Sequence, residues 1–347
     1  MDNLIRKYFT AWENKDIQLL EEVLTPRFKG IRTFFEEKLF NLDDVIYTLK
    51  NKRHIKYTVL DIDHKMTFSY VDCYLNINGT DELVTLKFSY ENGLIDSVYE
   101  TAKLVDKIRV KCIVSYDGSM FNGYQKQPNK ITVQGEIEKA IFNITKEKVI
   151  IHSSGRTDKG VHAYNQVFHF DTESSIKPEM FQKVLNNYLK DGIYIKDSME
   201  VHETFHSRYD ILSKEYVYVI NKLEYDVIKR NYEYYPGEFD VSVFKESLKT
   251  LIGTHDFTSL TKTNELSNIR TIYDIKFVEN SKYLLVYIKG NGFLRYMVRN
   301  IIAAALGIST NKVLVPMRVL INKKDNTILK DIAPASGLYM NEVTYHE

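Results

Sequence analysis

The chain has 347 residues, 44% hydrophobic and 27% charged, with a formal net charge of +1. These totals exclude a disordered or low-complexity protein and leave room for two or three domains. The longest apolar run, Ile301 to Ile308, is too short to cross a bilayer, and Cys73 and Cys112 alone are too few for a disulfide framework or a structural zinc site. The opening MDNLIRKYF has no apolar core of a signal peptide, so a cytoplasmic protein without a membrane role is expected. Charge is unevenly divided: residues 1–105 hold 14 basic against 17 acidic residues, and the remainder 33 against 29. That basic excess is too small to point to nucleic acid by itself.

In chain order, Leu4, Ile5, Tyr8, Phe9 and Trp12 recur at helical spacing, and Asp16 can cap a second helix carrying Ile17, Leu20, Val23 and Leu24 before Pro26. From Tyr57 to Tyr99 the pattern changes to strands, with NGT and ENG as turns. Helices followed by a curled antiparallel sheet, together with the opening YFTAWENKDIQLLEEVLTPRF, resemble the nuclear transport factor two-like cone. His54, Asp61, Asp63, His64 and Asp72 are the polar candidates for a pocket there, though none stands in a motif. Residues 1–105 are therefore expected to be an accessory domain, serving assembly or substrate contact.

A boundary near Val105 precedes KIRVKCIVS, in which Ile108, Val110, Cys112 and Val114 alternate with Arg109 and Lys111, predicting a strand with one wet or RNA-facing side. A helix over Val133 to Ile144 is capped by Thr132, EKVIIHS and AYNQVFHFDT read as strands, and Pro178 opens a helix burying Met180, Phe181, Val184, Leu185, Tyr188 and Leu189. The order recurs after residue 213. KEYVYVI is a strand; Val241 to Leu251 form a helix stopped by Gly253; RTIYDIKFVE and KYLLVYIKG form a hairpin; FLRYMVRNIIAAAL is a helix closed by Gly307. Residues 106–213 and 214–347 thus read as two halves of a duplicated, ferredoxin-like α+β sandwich with a cleft between them.

Between the two strands of the first half lies SSGRTDKGVHA, in which Gly155 and Gly160 bracket an arginine, an aspartate and a lysine. In an extended backbone Arg156 and Asp158 share one side and Thr157 and Lys159 the other. This stretch closely resembles the GRTDxGVHA motif of the tRNA pseudouridine synthase A family. Further segments agree in order: YDGSMFNGYQKQP, with Tyr124 where that family has tryptophan; FHSRY, Phe205 to Tyr209; KEYVY, with Val217 replacing an arginine; DFTSL; GNGFLRYMVRNI; and APASGLYM. The resemblance covers residues 106–347.

It implies an isomerase that breaks the uridine N-glycosidic bond, turns the base and rejoins it through carbon, without cofactor or metal. Asp158 would be the catalytic carboxylate, Arg156 would help displace the nucleotide, Tyr216 would stack on the base and assist the later proton removal, and Arg299 would hold Asp158 ionised and oriented. Leu338 would lie against the base, and Thr157, His162, Gln166 and Arg208 fall to substrate binding. The implied substrate is the anticodon stem-loop of tRNA, at positions 38, 39 or 40, bound across a homodimer. On a helical wheel Arg295 and Arg299 stand one turn apart beside the stripe Leu294, Met297, Val298, Ile301 and Ala305. His152, His162 and His169 flank Asp158 but fit no familiar metal-ligand spacing, so no metal is expected. The departures at Tyr124 and Val217 keep open an RNA-binding or tRNA-folding protein with weak catalysis, and residues 1–105 a separate ligand-binding role.

Overall fold

A computed structural model describes residues 1–33, 38–51, 55–104, 106–262, 267–329 and 331–345. Two units emerge, Met1–Ile108 with Val201–Phe205, and Arg109–Glu200 with His206–Glu347. Val105 and His54, singled out in the sequence, lie outside the described residues.

The first unit opens with α1 (Asp2–Asn14), whose apolar stripe buries Ile5, Tyr8, Phe9 and Trp12, and α2 (Ile17–Val23), where Asp16 accepts a hydrogen bond from the Leu19 amide at 3.0 Å. Then come β1 (Leu24–Arg32), β2 (Lys38–Asn41) and α3 (Leu42–Lys50), followed by β3 (Ile55–His64), β4 (Phe68–Ile77), β5 (Thr80–Glu91) and β6 (Leu94–Ala102). They form one sheet in the order β2-β1-β6-β5-β4-β3, antiparallel except where β1 meets β6. The core is aromatic: Tyr8 meets Phe88 edge-on at 5.3 Å, and Phe9 and Tyr57 stand 4.8 Å apart. Into it Glu100, with 0% exposure, carries a carboxylate paired with Arg32 at 2.6 Å and bonded by the Tyr57 hydroxyl at 3.1 Å. The polar candidates expected for a pocket have local partners instead. Asp63 pairs with Lys65, His64 with Ser69, and Asp72 with Lys103 and Thr85, while Asp61 is exposed.

The second unit starts with β7 (Ile108–Tyr116), α4 (Val133–Thr145), β8 (His152–Ser153), β9 (His162–Thr172), α5 (Phe181–Asn186) and β10 (Ile193–Val201). It continues with β11 (Ile211–Asn221), α6 (Val241–Lys249), β12 (Gly253–Asp256), β13 (Ile269–Glu279), β14 (Tyr283–Gly290), α7 (Met297–Ser309), α8 (Met317–Asn322) and β15 (Leu338–Tyr345). One nine-stranded sheet runs β10-β7-β9-β15-β11-β14-β13-β12, with β8 paired to β9. The duplication is visible in that order. The triplets β10-β7-β9 and β15-β11-β14 each run last strand, first strand, hairpin strand, and they join where β9 and β15 pair in parallel, His162 opposite Tyr339.

Several local expectations change. EKVIIHS keeps only two residues of strand, because Glu138 and Gln134 on α4 take the amide and carbonyl of Ile151, each at 3.4 Å, in place of a neighbouring strand. Arg109 is buried, not on a wet face: Asp171 on β9 grips its guanidinium at 2.7 and 2.8 Å. The helix after Pro178 is a single 3₁₀ turn and six α residues, too short to bury Met180 and Tyr188, which are exposed. Gly253 opens β12 rather than closing α6, and Gly307 lies inside α7, which runs on to Ser309. Arg295 precedes α7, whose start is marked by Tyr296 in the left-handed region at φ 64°, so it does not share a helical face with Arg299.

Candidate active site

The loop Ser154 to Val161 joins β8 to β9 and carries Asp158 where the equivalent hairpin of the second half has a short turn. Its first part is held by buried groups. Gln166 donates to the Gly155 carbonyl at 2.8 Å and accepts from the Ser154 hydroxyl, the Tyr116 and Thr157 hydroxyls pair at 2.7 Å, and the Tyr124 amide donates to the Thr157 carbonyl at 3.1 Å. Its second part closes as a turn, with the Val161 amide on the Asp158 carbonyl at 3.1 Å and Gly160 at φ +84°, a backbone state that favours glycine. Between these anchors the Asp158 side chain is half-buried and turned to α7.

There Arg299, in the first turn of α7, places Nη1 3.4 Å from Asp158 Oδ2. The guanidinium is itself oriented, donating Nε–H to the Ala333 carbonyl at 2.7 Å and lying 5.4 Å over the Tyr296 ring. Burial raises the Asp158 carboxyl above its usual pKa, and the charge and hydrogen bond of Arg299, with the charge of Arg295, oppose that rise without cancelling it. Tyr216 on β11 is nearly enclosed, its ring edge-on to Phe293 at 5.2 Å. Burial first, then the nearness of Tyr116 and Asp158, pushes its phenol pKa far up, so the hydroxyl stays protonated. Leu338 begins β15 opposite Tyr218, the next residue on the Tyr216 face of β11. Carboxylate, cation and an aromatic and aliphatic wall thus come from the loop, α7 and the central strands.

The other expected residues are placed differently. Thr157 and Gln166 direct their polar atoms into the loop that they hold. His162 is buried, receiving the Gly118 amide on Nδ1 at 3.1 Å and donating Nε2–H to the Asn231 carbonyl at 2.8 Å. Burial lowers its pKa, against the pull of Asp117, and so favours the neutral ring. Arg156 is exposed on the Asp158 loop, and Arg208 is exposed in the turn before β11, over the ring of Tyr209. The rings of His152 and His169 stack at 5.1 Å and His206 meets them edge-on at 5.4 and 4.8 Å, and among the described residues no group of three or more His, Cys, Asp or Glu is arranged to hold a metal. Ala333, which aims Arg299, was invisible in the sequence because it acts through its backbone carbonyl. Phe293 was legible as part of the GNGFLRYMVRNI string, but not as the ring that meets Tyr216.

This arrangement can set a carboxylate against a base or ribose lying on Tyr216 and Leu338. A family model described as tRNA pseudouridine synthase matches residues 112–210 and 248–346. The tRNA pseudouridine synthase A of Bacillus subtilis is 41% identical over 245 residues, covering 69% of this chain and 99% of that protein. That of Clostridium acetobutylicum is 41% identical over 242 residues, covering 68% and 99%, and that of Exiguobacterium sibiricum 37% over 242 residues, covering 69% and 97%. Among solved structures, an NTF2-like protein of unknown function from Cytophaga hutchinsonii is 14% identical over 29% of this chain and 88% of its own, with a TM-score of 0.27. A putative ketosteroid isomerase from Kribbella flavida is 14% identical over 30% and 77%, also at 0.27. Likenesses that low carry no argument.

Proposed function

This chain belongs to the tRNA pseudouridine synthase family, and from that premise we propose that Asp158 is the carboxylate through which it acts. It isomerises uridine to pseudouridine in tRNA. The N1–C1′ bond breaks, the base turns, a C5–C1′ bond forms, and the C5 proton is replaced by one on N1, so the product has the formula of the substrate. The observation that carries the assignment is Asp158 held 3.4 Å from an Arg299 that is itself fixed by a backbone carbonyl. In our reading Asp158 attacks or deprotonates at the ribose or base, and Arg299 limits the rise in its pKa. Tyr216 and Leu338 receive the flipped base. The protonated state of the Tyr216 hydroxyl fits stacking better than proton removal. Exposed Arg156, two residues before Asp158, fills the place the base leaves, and exposed Arg208 contacts the RNA. We further assign the anticodon stem-loop, positions 38 to 40, as the target, a homodimer as the working form and the cytoplasm as its location.

The test is pseudouridine formation on unmodified tRNA transcripts, mapped to the nucleotide, with wild type beside Asp158→Asn. Product on the 3′ side of the anticodon stem-loop in wild type alone is the expected result. Product from Asp158→Asn overturns the role given to Asp158, and product elsewhere in the tRNA overturns the assigned target. Sedimentation at working concentration decides the dimer.

A further inference from the structure

We infer that Lys214 is a positioning residue for the reaction: its ammonium holds the carbonyl of Ser154 and so fixes the loop that presents Asp158. This rests on the reading of Asp158 as the catalytic carboxylate.

Lys214 precedes Tyr216 by two residues on β11, so both project from the same face of the sheet. Its Nζ donates to the Ser154 carbonyl at 2.6 Å, a short charge-assisted bond to a neutral acceptor. Among the described residues it pairs with no carboxylate, so this contact takes the cation's main interaction. Gln166, on β9, holds the next carbonyl along, that of Gly155, at 2.8 Å. Two successive peptide groups are therefore clamped from two different strands, four and three residues ahead of Asp158. The clamp also bears on Gly155, one of the two glycines that bracket the loop. Its φ is not among the positive ones; instead, a Cβ there would stand 3.1 Å from Lys214 Nζ and 3.8 Å from the Met340 methyl. An alanine would press on the ammonium that holds the preceding carbonyl.

The charged groups acting on Lys214 are Arg208, from the turn before β11, and Arg270, on β13. With burial as the larger cause, they push its pKa down to about 8. Deprotonation leaves a neutral amine and weakens the bond to Ser154, so the grip on the loop is present below that pH and fades above it.

The experiment uses the full chain and unmodified tRNA transcripts, measuring the single-turnover rate at saturating enzyme and the Kd for tRNA. Wild type, Lys214→Met, Gly155→Ala and Asp158→Asn are compared across the neutral and alkaline range. Lys214→Met and Gly155→Ala are expected to lower the rate on the order of 10- to 100-fold, the cost of a small misplacement of a reacting group, and to leave Kd unchanged. The wild-type rate is expected to fall as pH rises through about 8, and that fall to be missing in Lys214→Met. A weakened Kd with an intact rate would overturn the inference by making Lys214 an RNA phosphate contact. Unchanged rate and Kd, or an alkaline fall that persists in Lys214→Met, overturn it too. If both substitutions abolish tRNA binding, the wild-type profile decides alone, and its flatness above pH 8 sinks the idea. Product from Asp158→Asn speaks against the role of Asp158 and leaves the Lys214 comparison readable.

Discussion

Asp158 and Arg299 are 141 residues apart in sequence and 3.4 Å apart in space. In Arg299→Met the carboxyl loses the charge and the hydrogen bond that oppose the effect of burial, so its pKa climbs further. The acid limb of the single-turnover rate moves to higher pH and the rate at neutral pH falls, measurable in profiles from about pH 5 to 9. An unmoved acid limb would mean that another group sets it. The same physics bears on stability. A carboxyl raised by folding contributes fully below its unfolded value of 3.8, and that contribution is lost as pH rises through the folded one. That the chain brings Asp158, Tyr216 and Arg299 to one place was legible because each stands in a string that resembles one of the family's motifs. The use of Thr157, His162 and Gln166 was not, since a sequence shows a polar side chain but not which backbone group it answers.

At the scale of elements, the junction of β8, β9 and the turn after β10 brings together an exposed histidine, His152, and two buried ones, His169 and His206. His169 has 1% and His206 4% exposure. Burial is the leading cause that lowers both, helped by Arg109 and by the neighbouring histidines, and it takes His206 to about 2. Both rings are neutral when folded, whereas in the unfolded chain they protonate near 6.5. The unfolded state thus binds more protons as pH drops below 6.5, and stability falls by up to about 1.4 kcal/mol per histidine for each pH unit. Thermal melting of wild type should show Tm declining from neutral pH toward pH 5, with a shallower decline in His206→Phe. Equal slopes would place the acid sensitivity elsewhere. Alternation around Phe168, His169 and Phe170 made β9 legible as a strand. The histidine cluster itself was not, because its third ring comes from His206 in a distant turn. Arg109 misled for a related reason: a cation between apolar residues looks solvent-facing until its bidentate partner, Asp171, is known.

At the scale of the molecule, the second unit corresponds to a whole relative, since 69% of this chain aligns with 99% of the Bacillus subtilis protein. A chain beginning at residue 106 is therefore expected to isomerise tRNA at a rate close to the full-length protein's, read in the same single-turnover assay. A large loss would give the first unit a part in the reaction. The repeat of strand, helix, hairpin and helix made the duplication legible. Over Lys38 to Lys50 the sequence shows no clear element because short β2 and α3 offer too few periods for a pattern, and β15 is hidden because its pairing with both β9 and β11 is long-range information. That pairing has a consequence in time. Strand by strand, the ribosome delivers β10-β7-β9 first and β11-β14-β13 later, but the strand that sits between β9 and β11 is Leu338–Tyr345. Until it has left the exit tunnel the two triplets share no edge, and the loop bearing Asp158 has no settled position relative to Arg299. A nascent chain stalled just upstream of residue 338 would already contain Asp158, Tyr216 and Arg299, and is expected to be silent toward tRNA.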